Sequence, residues 1–176
     1  AKVRLFGKEA GTVRWNERRN VAEFEYADNF NNSGIEPSPI MMPVREGRVY
    51  SFGGLNWNTY NGLPGMLADS LPDTYGRALF DNWLKLTCRT SGNPVESLCF
   101  LGKRCMGALE FEPAIAPETE YAERFEIATL VDVARDALLQ KEQFGANLTS
   151  DRKNAIAAIL SLGTSAGGQR AKALIA

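Results

Sequence analysis

Histidine is missing from all 176 residues. Without an imidazole the chain cannot build a Ser-His-Asp triad, a Cys-His pair or a His-ligated zinc site on its own. Cysteine is scarce: Cys88, Cys99 and Cys105 are an odd number, and no two stand as C-x-x-C. A structural zinc site would then need carboxylates in unusual roles, so these residues are expected to be three reduced, partly buried thiols on helices. A charge surplus is missing too. Twenty basic and 21 acidic residues leave a formal net charge of −1. Residues 1–112 carry 13 of each sign, and residues 113–176 carry 7 basic and 8 acidic. Direct nucleic-acid binding is therefore a poor expectation, because a phosphate-backbone binder needs a basic excess. No apolar run approaches the roughly 20 residues that span a bilayer. The opening Ala1-Lys2-Val3-Arg4-Leu5-Phe6-Gly7 puts charges where a secretory leader needs an apolar stretch. The expectation is a soluble cytoplasmic protein without a membrane partner. The start without Met and the end inside an apolar run imply that one or both ends are trimmed.

What is present is an ordinary globular composition, 44% apolar and 23% charged, enough for a core of domain size. Val3 and Leu5, then Val13 and Trp15, then Val21, Phe24 and Tyr26 alternate with polar residues. That period predicts an antiparallel meander with one wet face. Residues 28–47, rich in Asn and Pro, predict a long irregular connection, and a short strand is expected at Arg48–Phe52. From Asn61 the pattern turns helical. Pro64 is placed to begin a helix bearing Met66, Leu67 and Leu71. Leu79, Phe80, Trp83 and Leu84 predict a second helix, running to about Thr87. Asn93-Pro94-Val95-Glu96 combines a cap, a first-turn Pro and a Glu able to reach back, and Gly102 or Gly107 ends that helix. Leu109–Glu112 alternates as a strand and stops at Pro113. Residues 113–122 read as a linker. An amphipathic helix follows, with Ile127, Leu130, Val131, Ala134 and Leu138 on one stripe, and Thr149 or Ser150 caps another carrying Ile156, Ile159 and Leu160.

Several residues invite sharper readings. Asp69 and Asp73 resemble an acid/base pair but suit helix capping better. Trp15, Trp57 and Trp83 have no basic residues in excess around them and suit packing rather than base stacking. Met41-Met42-Pro43 fits gap filling ahead of a soft contact surface. Lys103-Arg104 fits a solvated helix end ahead of an anion site.

The densest signal is Gly163-Thr164-Ser165-Ala166-Gly167-Gly168 followed by Lys172. Glycines let backbone N–H groups close on an anion, and a lysine adds a point charge for a phosphate. A plain helix cap and turn would use the same glycines. Gly163 and Gly168 have the Walker spacing, but Gln169-Arg170 stand where Lys-Ser/Thr are required. Gly163–Gly167 matches G-x-S-x-G, but that elbow needs a strand before it, a helix after it and a histidine. A kinase-type loop running on into a strand fits the order of elements.

Together, Gly62–Asp73, Asn93-Pro94-Val95-Glu96 with Leu101-Gly102, Arg104–Phe111 and the Gly-rich stretch resemble HipA-like serine/threonine kinases, the toxins of a type of bacterial toxin–antitoxin system. The resemblance implies an α+β chain: a strand-rich N-terminal subdomain (1–112), a linker (113–122) and the beginning of a kinase-like domain (123–176). It makes Gly167, Gly168, Gln169, Arg170, Ala171 and Lys172 the nucleotide-facing residues and Ser165 the autophosphorylated serine. It implies ATP and Mg as cofactors of the parent enzyme. A HipB-type DNA-binding antitoxin and a protein substrate are its implied partners. No catalytic or metal residue falls within these 176 residues, because the family's aspartates come after the loop. The piece alone is therefore expected to be inactive, with its residues past about 163 mobile or paired with another chain. The alternative is a stand-alone regulatory, antitoxin-like partner of a separately encoded kinase of this type.

Overall fold

A computed structural model describes residues 1–115, apart from the side chains of Tyr75 and Leu86. The chain divides into two compact units, Ala1–Leu71 with Asn93–Ala114, and Pro72–Gly92 with Ile115–Ala176.

The first unit is built on strands β1 (Lys2–Leu5), β2 (Lys8–Asn16) and β3 (Val21–Tyr26), the antiparallel meander that the alternation predicts. Strand β4 (Val49–Tyr50) pairs with β3, and β5 (Leu109–Glu112) pairs with β1, so the sheet order is β4-β3-β2-β1-β5. All pairings are antiparallel. The expected strand at Arg48–Phe52 contracts to two residues, because the chain turns away through Gly53-Gly54.

Register sorts the two faces of the sheet. Val3, Leu5, Val13, Phe24, Tyr50, Leu109 and Phe111 point inward and are buried. Lys2, Arg4, Thr12, Arg14, Glu23, Glu25, Glu110 and Glu112 share the other face. Helix α1 (Trp57–Tyr60) is a single turn, as is α2 (Gly65–Ala68), which starts just after Pro64 as expected. Helix α4 (Pro94–Leu101) packs on β2 and β5 and buries Leu98, Phe100 and Leu101. Its start is the predicted box: Glu96 N–H donates to Asn93 Oδ1 (3.0 Å), and Asn93 N–H donates to Glu96 Oε2 (2.9 Å). Gly102 ends it in a positive-φ conformation. Residues 28–47 are more ordered than their composition predicts. They begin with a 3-10 turn at Asp28–Ser33, which buries Phe30 stacked on Tyr26.

Among the described residues the second unit contributes helix α3 (Thr74–Leu86). Asp73 accepts from Gly76 N–H at 2.8 Å, and Leu79, Phe80 and Leu84 are buried.

Candidate functional site

The nucleotide loop expected at Gly167, Gly168, Gln169, Arg170, Ala171 and Lys172, with Ser165, lies outside the described residues. So do the helices expected around 127–138 and 149–160 and most of the 113–122 linker. Among the described residues, the side chains that drew attention in the sequence take structural places.

Asp73 caps α3 through its carboxylate. Asp69 stands at the C-terminal end of α2, where its backbone N–H makes the capping bond. The two aspartates serve different helix ends. Arg104 donates to Phe100 O (2.7 Å) and Leu101 O (3.3 Å), placing a cation on the last carbonyls of α4, where the helix dipole is negative. Trp15 and Trp57 meet edge to face, with ring centroids 6.2 Å apart. Gly62 closes this corner. Its φ is +74°, and a Cβ there would lie 2.8 Å from both Asn20 O and the Trp57 ring. The cysteines are free thiols, Cys99 and Cys105 buried and Cys88 exposed. Cys88 and Cys105 lie just past helix ends rather than on helices. Burial pushes the Cys105 thiol up to about 12, so it stays protonated and unreactive. No group of three His, Cys, Asp or Glu side chains converges to hold a metal ion among the described residues.

Three arrangements escape a reading of the sequence. The first surrounds Glu23, a carboxylate buried on the otherwise charged face of the sheet. Arg14 donates to it at 2.7 Å, Asn16 at 2.8 Å and Arg19 at 3.5 Å. The amide of Asn16 and the guanidinium of Arg14 hold its carboxyl below the ordinary value, against the opposing effect of burial. A carboxylate fixed in its charged form acts as a clamp on the β2–β3 hairpin, not as a proton donor.

The second is the loop after the 3-10 turn. Tyr26 Oη donates to Met42 O at 2.8 Å, and Tyr50 Oη donates to Pro43 O. Met42 N–H donates to Ser38 O (2.8 Å), and Val44 N–H to Glu36 Oε2 (3.0 Å). Met42 fills the core as expected. The pinned loop lifts Ile40 and Met41 into solvent, 89% and 59% exposed. The methionine pair thus divides between gap filling and display. The sequence signal was Pro39-Ile40-Met41, apolar residues behind a proline, but the two tyrosines that hold the loop are supplied by strands.

The third is an apolar knob. Leu5 pairs with Leu109, so Phe6 and Met106 lie just past the same end of the sheet. Phe6 is 72% exposed and Met106 42%. Ile40, Met41, Phe6 and Met106 are thus the apolar side chains that these two places leave in solvent.

A family model described as "HipA N-terminal domain" matches residues 1–112. The matched stretch ends on the last residue of β5. No curated protein and no solved structure matches the chain.

Proposed function

Because the chain belongs to the HipA N-terminal domain family, we propose that it is the N-terminal portion of a HipA-like serine/threonine protein kinase, a cytoplasmic bacterial toxin restrained by an antitoxin. The observation that carries this reading is the family match over residues 1–112 on a chain that runs on into a Gly-rich stretch with Lys172. In this reading residues 1–112 are a non-catalytic subdomain that presents contact surface. The linker of residues 113–122 leads into the kinase domain, which begins near residue 123.

Gly167, Gly168, Gln169, Arg170, Ala171 and Lys172 face the nucleotide. Backbone N–H groups of the two glycines close on its phosphates, and Lys172 adds a cation. The parent uses ATP and Mg to phosphorylate a protein substrate, with Mg supplying charge neutralisation on the phosphates. Ser165 is the autophosphorylation site. A phosphate there brings nearly two negative charges beside those of the nucleotide, so the modified loop excludes ATP. Residues 1–176 by themselves transfer no phosphate, because the family's catalytic and metal-binding aspartates come after the loop. The family match makes a HipB-type antitoxin the partner in this reading, and the balanced charge count of residues 1–112 leaves DNA contact to that partner.

The test is a phosphate-incorporation assay with radiolabelled ATP and Mg. The full-length parent should label itself, Ser165→Ala should remove that label, and Lys172→Ala should remove ATP binding. Residues 1–176 alone should stay unlabelled. Label on the piece, or none on the parent, overturns the reading. The alternative is a stand-alone regulatory partner of a separate kinase, with which the match to residues 1–112 is also compatible, although such a partner is expected to stop soon after Phe111-Glu112 and this chain continues past them. That reading requires the purified chain to bind and slow such a kinase when added in trans.

A further inference from the structure

We draw no further inference here: the strongest candidate, the apolar surface patch of Phe6 and Met106 at one end of the sheet, with Phe6 held at a φ of +51° in the turn between β1 and β2, carries nothing because nothing in the structure shows what covers it.

Discussion

Gly11 lies opposite Tyr26 in the β2–β3 ladder, at a point where the sheet leaves no room for a side chain. A Cβ there would stand 2.2 Å from Glu25 O and 2.8 Å from the Phe24 ring. The backbone oxygen cannot step aside without breaking the ladder, so Gly11→Ala should cost at least about 2 kcal/mol. A shift of the urea midpoint at constant slope measures it. Glu23 makes a prediction of the opposite kind, dependent on conditions. Its carboxyl is held below its unfolded value, so the stability it contributes is present at neutral pH. That contribution is lost as pH falls through the lowered folded value. Glu23→Gln should be less stable than the parent sequence at pH 7, and the difference should close on acidification below the ordinary carboxylate range. Parallel melting curves from neutral to acid pH check both halves of the claim. A constant gap would mean that Glu23 acts through shape alone.

At the scale of elements, signals that act over four residues were legible and signals that act across the sheet were not. The start of α4 is spelled by Asn93, Pro94 and Glu96 in sequence, and the structure has that box bond for bond. Asn93→Ala should cost about 1 kcal/mol, read from the same denaturation midpoint. The meander was legible because alternation with a period of two needs no knowledge of the neighbour. The loop over residues 34–44 was not. Asn and Pro mark it as irregular, but its order comes from Tyr26, 16 residues from Met42, and from Tyr50. Tyr26→Phe should cost about 1 kcal/mol through the lost bond to the Met42 carbonyl. It should also speed proteolysis near Ile40, which limited digestion with an apolar-selective protease would show. The nucleotide loop expected at residues 163–172 rests on glycine spacing and a following lysine, which are local features, and it lies outside the described residues. The exposure of Ile40 and of Phe6 was hidden, because it is decided by what the fold leaves uncovered.

For the first unit as a whole, the decisive join is between its two ends. Strand β5 was visible as a strand, but its partner β1 lies more than a hundred residues earlier, and nothing local names it. Register pairs Val3 with Phe111 and Lys2 with Glu112, so the last strand completes the sheet on the edge of the first. Two interactions at this join can be compared. The Arg4–Glu112 ion pair spans 3.1 Å with both side chains more than a third exposed, and such a pair contributes up to about 1 kcal/mol. Phe111 is fully buried, and a Phe→Ala change in a core costs about 3–5 kcal/mol. Set against a domain stability of about 5–15 kcal/mol, the first loss is minor and the second can remove most of the fold. Glu112→Gln should therefore leave the urea midpoint nearly unchanged. Phe111→Ala should lower it sharply, and hydrogen exchange should show β1 opening together with β5. Equal effects of the two changes would mean that charge, not burial, closes the sheet.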